Sequence, residues 1–293
     1  MKEIVILSGK GGTGKTSITA AFATLADKPV VVDCDVDAAD LHLVLAPDVQ
    51  ETHEFIGGKT ARIDPGRCTK CGQCVEICRF GAVFCADSED GCFVDQMACE
   101  GCGVCAAFCP AGAITMEDTI NGRWFVSQTR VGPMVHARLS AGGENSGKLV
   151  TLVRNEARSI AQSIGAELIL TDGPPGIGCP VIASLAGASR VVVVTEPTVS
   201  GIHDLQRVVK LAAHFLVSTS VIINKSDINP DQAAEIDTFA SAHGISVLGR
   251  IPYDPVVTAA QLVGKSVIEY SEGPFSSKLR EIWDDLSQDT NEP

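Results

Sequence analysis

Apolar residues in this chain gather in short solid runs, separated by stretches with helical spacing. The first run, IVILS at residues 4–8, ends in a glycine-rich turn; a helix-like stretch from Lys15 to Ala26 and a second run, VVV at 30–32, follow it. The pattern predicts strand, loop, helix and strand. Further along, the same alternation predicts strands at 167–171, 190–194, 219–223 and 246–250, with helices between them. Solid apolar runs belong to strands covered on both faces, so the expected fold is α/β with a mainly parallel sheet. Within residues 119–147, GRWFVSQTR alternates like a strand and AGGENSG reads as a loop. Near the C-terminus, Phe275, Leu279, Ile282, Trp283 and Leu286 recur at helical spacing. The polar side of that stripe is mostly acidic (Glu281, Asp284, Asp285, Asp289), which favours packing on a core over lying on a membrane.

Composition narrows the function classes. The 293 residues hold 23 Lys and Arg against 36 Asp and Glu, a formal charge of −13, and no basic run occurs. Nucleic acid and anionic lipid are therefore not expected as partners. No apolar run reaches the roughly 18 residues of a membrane span, so no membrane-targeting helix is expected. The N-terminal MKEIVILSGKGG has too short an apolar stretch for a signal peptide and reads as a first strand, which makes a cytoplasmic location the expectation. Cytosolic thiols are kept reduced, so twelve cysteines point to metal and away from a disulfide framework.

Ten of the twelve cysteines fall within residues 68–109, and only Cys34 and Cys179 lie outside. The run Cys68-x-x-Cys71-x-x-Cys74-x-x-x-Cys78 is repeated as Cys99-x-x-Cys102-x-x-Cys105-x-x-x-Cys109-Pro110. This is the spacing of bacterial two-cluster ferredoxins, in which the fourth cysteine of each run crosses to the other [4Fe–4S] cluster. Cluster one is expected on Cys68, Cys71, Cys74 and Cys109, and cluster two on Cys99, Cys102, Cys105 and Cys78. Cys-x-x-Cys pairs also suit tetrahedral zinc, the competing metal. Arg79 stands where a proline usually follows the first run; Cys85 and Cys92 fall off the ligand spacing and read as buried small residues or spare thiols. The expected organisation is a P-loop sheet domain, residues 1–58 and 119–293, with an α+β ferredoxin module inserted at 59–118.

Between the first strand and the first helix lies SGKGGTGKTS, which fits G-x-x-x-x-G-K-T. Gly9, Gly11, Gly12 and Gly14 let the backbone around Lys10 and Thr13 turn its N–H groups onto phosphate. Lys15 reaches the β- and γ-phosphates, Thr16 ligates Mg²⁺, and Ser17 continues the helix start. Asp33 and Asp35 stand at the end of the second strand, where ligands bind in open α/β sheets, and are placed to see Mg²⁺ or water, with Asp33 the expected magnesium contact. Asp172, after the run ELILT, sits where a carboxylate meets Mg²⁺ in such sites, and Gly-Pro-Pro-Gly follows it. Asn224, at the end of VIIN, can pair with a purine edge; the sequence Asn224-Lys225-Ser226-Asp227 also matches the N-K-x-D guanine signature, so GTP is an alternative nucleotide.

With the extra lysine at Lys10, the loop KGGTGKT resembles the deviant Walker A family that includes MinD, ParA, Mrp and the nitrogenase iron protein. The resemblance implies that Lys10 reaches across a nucleotide-sandwich dimer, that Asp35 orients the attacking water, and that Asp33 and Asp40 support it. It makes GPPG a second switch and favours ATP, with Asn224 and the IPYD turn containing Pro252 bracketing the base. Over its whole length, through GPPGIGCPV, TEPTVSGIHDL and INKSDIN, the chain is similar to MinD-superfamily ATPases with an inserted ferredoxin domain, which often occur as paired paralogues. That likeness implies a homodimer or a heterodimer with a paralogue, and a redox or metalloprotein partner. Two functions follow: ATP hydrolysis gating electron transfer through the clusters, or ATP-dependent assembly, delivery or positioning with structural or redox-sensing clusters. A MinD-like positioning role is disfavoured by the absence of a basic tail. The nitrogenase iron protein bridges a cluster with two cysteines per subunit; here Cys179 has no counterpart in AGGENSGK (141–148), so it is expected to be a buried small residue.

Overall fold

The computed structural model describes residues 1–85, 91–140 and 142–289. Its strands are β1 (Lys2–Ser8), β2 (Val30–Asp33), β3 (Asp48–Ile63), β4 (Val83–Cys85), β5 (Cys92–Val94), β6 (Ile114–Gln128), β7 (Pro133–Leu139), β8 (Leu168–Pro175), β9 (Arg190–Thr195), β10 (Ser218–Asn224) and β11 (Ser246–Ile251). Its helices are α1 (Lys15–Leu25), α2 (Leu41–Leu45), α3 (Gln73–Ile77), α4 (Val104–Ala107), α5 (Ser146–Ile164), α6 (Cys179–Leu185), α7 (Val199–His214), α8 (Pro230–Ala242), α9 (Val256–Leu262), α10 (Val267–Tyr270) and α11 (Pro274–Asp289). The chain folds into two compact units. The larger takes in residues 1–53, 124–138 and 146–293, the smaller 54–123 and 139–145. No helix among the described residues is long and apolar enough to cross a membrane.

The large sheet runs β11-β10-β9-β1-β8-β2-β7-β6-β3. The β1–β8, β1–β9, β2–β8, β2–β7, β9–β10 and β10–β11 pairs are all parallel. The solid apolar runs are explained by what each face of a strand meets. On β1, Ile4 and Ile6 join the core formed with Phe22 of α1 and Leu279, Ile282 and Trp283 of α11. Val5 and Leu7 point the other way, into the core with Leu205 of α7 and Ile236 of α8. Strand β9 divides likewise, Val192 and Val194 to one side and Val191 and Val193 to the other. A period of two then leaves no polar face, because both faces are inside. The C-terminal stripe packs on this core, with the rings of Phe22 and Trp283 centred 5.2 Å apart.

Strands β3 and β7 carry no solid apolar run, which is why the hydrophobic pattern alone did not predict them. On β3 the burial is irregular, and residues 48–52 are exposed. Residues 139–145 belong with the smaller unit. That unit has a small core of Ala61, Cys105 and Ile114, against which Cys74, Cys99 and Cys109 pack.

Candidate functional site

Parallel strands deliver their C-terminal ends to one edge, and β1, β8 and β2 are neighbours there. Asp172 stands opposite Ile6 on one side and opposite Asp33 on the other. The loop from Gly9 to Gly14 follows β1 directly, and α1 opens at Lys15. Gly12 and Gly14 take φ of +79° and +92°. At Gly14 a Cβ would also stand 2.4 Å from Asn224 Nδ2, so glycine is required there twice over.

The strand ends, the loop and the segments of α2 and α9 line a cavity of about 830 Å³. Its wall includes the loop residues 11–17, Asp35, Asp40, Asn224, Pro252 and Tyr253, together with apolar Leu43, Val257 and Leu262. Gly9 and Lys10 do not line it. A Cβ on Gly9 would stand 2.2 Å from Cβ of Asp204, so that glycine serves close packing against α7.

Lys15 is buried, with Nζ 3.3 Å from Asp35 Oδ2 and 3.4 Å from Asp172 Oδ1. Burial by itself would lower the ammonium's pKa; Asp172, Asp35 and Asp33 outweigh it and hold it above the ordinary lysine value. Thr16 donates its hydroxyl to Asp172 Oδ2 at 2.7 Å, and Thr19 donates to Oδ1 at 3.0 Å. The Thr16 hydroxyl and the Asp172 carboxylate, both expected at Mg²⁺, are thus paired with each other. Thr13 Oγ1 is buried with no hydrogen-bond partner among the described residues, a donor fitted to a phosphate oxygen.

Asp33 has a different duty from the expected magnesium contact. It is fully buried, and its carboxylate accepts from the backbone N–H of Asp35 at 3.1 Å and of Leu41 at 3.2 Å. Burial, and then the neighbouring Asp172, push its pKa well above the carboxylate range. It fixes the backbone between Asp35 and Leu41, and Asp35 is the one of the two that lines the cavity. Burial also raises the Asp35 pKa, against the pull of Lys15. Asn224 likewise grips the loop: Nδ2 donates to the Thr13 carbonyl at 2.7 Å. Asp227 Oδ1 accepts from Tyr253 N–H at 2.7 Å, which ties the IPYD turn to the segment that follows β10.

Lys10 lies outside the cavity, held by Glu196 at 2.5 Å and donating to Thr198 and Ser200. Glu196 also pairs with Lys225, whose Nζ donates to the Gly12 carbonyl at 2.8 Å. Burial would raise the Glu196 pKa, but the two lysines hold it below the usual range. Motif reading singled out neither Glu196 nor Lys225 for a role, although both lie inside quoted segments; their acid–base complementarity across the sheet edge was the available signal. Cys179 is exposed, a correction to its reading as a buried residue. As the first residue of α6 it lies ahead of Val181 and Leu185, the residues that α6 turns into the core.

The cysteines of the smaller unit line two further cavities. One is lined by Cys68, Cys71, Cys74 and Cys109, with Cys92. The other, about 250 Å³, is lined by Cys99, Cys102, Cys105 and Cys78. Backbone N–H groups of Lys70, Ala82 and Ala113 donate to the sulfurs of Cys68, Cys78 and Cys109 at 3.4, 3.3 and 3.3 Å. Such donors suit thiolate ligands, whose charge they share. Cys85 and Cys92 depart from the expectation of small buried residues or spare thiols. They face each other across the β4–β5 hairpin and form a disulfide, Cys85 exposed and Cys92 buried.

The CobQ/CobB/MinD/ParA nucleotide binding domain profile matches residues 4–267. The uncharacterized protein MJ0578 of Methanocaldococcus jannaschii is 31% identical over 291 residues, which cover 98% of this chain and 96% of that one. The uncharacterized ATP-binding protein MJ0547 of the same organism is 23% identical over 285 residues, covering 95% and 85%. The septum site-determining protein MinD complexed with Mg-ADP from Pyrococcus horikoshii shares the fold, with a TM-score of 0.59 over 99% of this chain and 97% of that one at 16% identity. A match from residue 4 to 267 takes in nearly all of the sheet that carries the phosphate loop, and the chain therefore belongs to the CobQ/CobB/MinD/ParA nucleotide-binding domain family, as a P-loop ATPase.

Proposed function

We propose that this ATPase is an iron–sulfur protein in which the nucleotide state controls electron transfer through two [4Fe–4S] clusters to a redox partner. The observation that carries the reading is the make-up of the two cysteine cavities: each is lined by three cysteines of one run and the fourth of the other. That exchange of the fourth cysteine is the ligand pattern of two-cluster ferredoxins. When bound, the clusters supply one-electron redox centres. Cys68, Cys71, Cys74 and Cys109 hold one, and Cys99, Cys102, Cys105 and Cys78 the other.

At the phosphate loop, Lys15 neutralises the β- and γ-phosphates, Thr16 and Asp172 hold Mg²⁺, and Asp35 orients water toward the γ-phosphate. ATP is the nucleotide, in keeping with the ATP-binding name of the relative MJ0547. Lys10 leaves Glu196 to meet the phosphates of a second subunit, itself or a paralogue. In sequence the cysteine segment lies between Asp35 and Asp172, the connection through which the proposal routes the coupling.

The exposure of Cys71 and Cys102 supports a second reading, delivery of a metal centre, because one corner of each site is open. Anaerobic protein is expected to hold roughly eight iron and eight sulfide per chain, four of each per cubane. A midpoint potential that moves when a non-hydrolysable ATP analogue binds supports electron transfer. An unmoved potential with ATP-dependent loss of iron to an apoprotein supports delivery, and zinc without sulfide overturns both.

A further inference from the structure

The Cys85–Cys92 disulfide is absorbed neither by the phosphate site nor by the two cysteine sets. The sulfurs of Cys74, Cys85 and Cys92 all lie within 4.8 Å of one another, and Cys92 lines the same cavity as Cys68, Cys71, Cys74 and Cys109. The two halves of the disulfide differ: Cys92 is buried on the cavity side, while Cys85 is exposed. A disulfide that only stapled the hairpin would have no need of a cluster-side sulfur, and at the expected cytoplasmic location, where structural disulfides are rare, those that form are mostly catalytic or redox-sensing.

We propose that Cys85 and Cys92 are a redox-active disulfide–dithiol couple, seated against the Cys74 corner of the first cluster site and open to an external disulfide at Cys85. The proposal rests on the cluster reading above. Reduction adds two electrons and two protons, breaks the Cys85–Cys92 bond and leaves two thiols. A low-potential one-electron donor of the ferredoxin class is oxidised twice to supply the electrons. The Cys85 thiolate then attacks a substrate disulfide, giving a mixed disulfide and releasing one substrate thiol. Cys92 attacks Cys85 in turn, releasing the second substrate thiol and restoring the starting bond. The substrate class is a disulfide, on a partner protein or a small molecule, and exposure assigns the attack to Cys85 and the resolving step to Cys92.

The test uses anaerobic full-length protein whose iron and sulfide have been assayed. Reduced Cys92→Ser, mixed with oxidised glutathione, is expected to carry a glutathione adduct on Cys85 by peptide mass spectrometry, while Cys85→Ser carries at least tenfold less on Cys92. In the unmutated protein, reductive titration followed by differential alkylation should convert both cysteines together, and Cys85→Ser/Cys92→Ser should take up two fewer electrons per chain with its iron content unchanged. Equal adducts, cysteines that never change state, or loss of iron from the double variant, which would make them metal ligands, overturn the proposal. Protein without iron and sulfide fails at the assay and overturns the cluster reading, and the electron route with it.

Discussion

At the residue scale, the phosphate site is held together by one cation among three carboxylates. Lys15 offsets Asp33, Asp35 and Asp172, two of which are fully buried neighbours on adjacent strands. Lys15→Ala is therefore expected to do two things. It removes most ATP affinity in direct titration, because it grips ground-state phosphate. It also destabilises the nucleotide-free protein by roughly 3 kcal/mol at pH 7, the cost of breaking a buried pair. The sign with pH follows from linkage: carboxylates whose folded pKa is raised favour folding at low pH, so the deficit in urea denaturation grows as pH rises. Asp35→Ala should leave ATP binding nearly intact and lower turnover by roughly 100-fold, the usual worth of a group that positions a proton-bearing nucleophile. Equal losses of binding in both variants would reverse the assignment.

At the scale of elements, β7 carries a histidine with an identifiable linkage. His136 is 8% exposed and pairs in register with Asp33, its Nε2 lies 3.0 Å from Ser127 Oγ, and its ring stacks with those of Phe125 and His42. Burial, with a contribution from His42, lowers its pKa to about 4. Between pH 6.5 and 4 the unfolded chain takes up a proton here and the folded one does not, so stability falls as pH drops through that window. The loss should reach a few kcal/mol, about 1.4 per pKa unit. In His136→Gln the slope of stability against pH over that window should be shallower, and an identical slope would remove His136 from the account. In the smaller unit, the exchange of fourth cysteines sets a second expectation. Cys78→Ser should perturb the spectrum of the site of Cys99, Cys102 and Cys105, and Cys109→Ser that of Cys68, Cys71 and Cys74; loss of the same-run site would refute the pairing.

For the whole molecule, the question is what ATP changes. Lys10 is tied in cis to Glu196, Thr198 and Ser200, and Glu196 is shared with Lys225, which holds the Gly12 carbonyl. A lysine so placed is stabilised in the single chain, and on the proposed reading a γ-phosphate presented by a second subunit is the partner that draws it away. Lys10→Ala should bind ATP yet stay monomeric by anaerobic sedimentation with a non-hydrolysable analogue, and hydrolyse at least tenfold more slowly. Dimerisation and turnover like the unmutated protein would end the trans-lysine reading. Glu196→Ala, which frees Lys10, gives the converse check: dimerisation at a lower analogue concentration.

The sequence alone determined the parts whose chemistry depends on local spacing. The glycine–lysine loop is one, because N–H groups converge on phosphate only when a strand, a short glycine-rich loop and a helix follow in order; the doubly buried strands are another, because burial on both faces leaves solid apolar runs. What only tertiary structure decided are the relations set by neighbours distant in the chain. Asp33 had the sequence position of a metal contact, yet Leu41 and Asp172 made it a buried support. Asn224 had the sequence position of a base contact, and the fold adds a duty that spacing does not show, its Nδ2 donating to the Thr13 carbonyl beside Gly14. Strands β3 and β7 had no apolar run to announce them. Cys85 and Cys92 matched no spacing rule, because a disulfide across a hairpin is set by cross-strand register, and register is fixed by which residues face each other once the chain has folded.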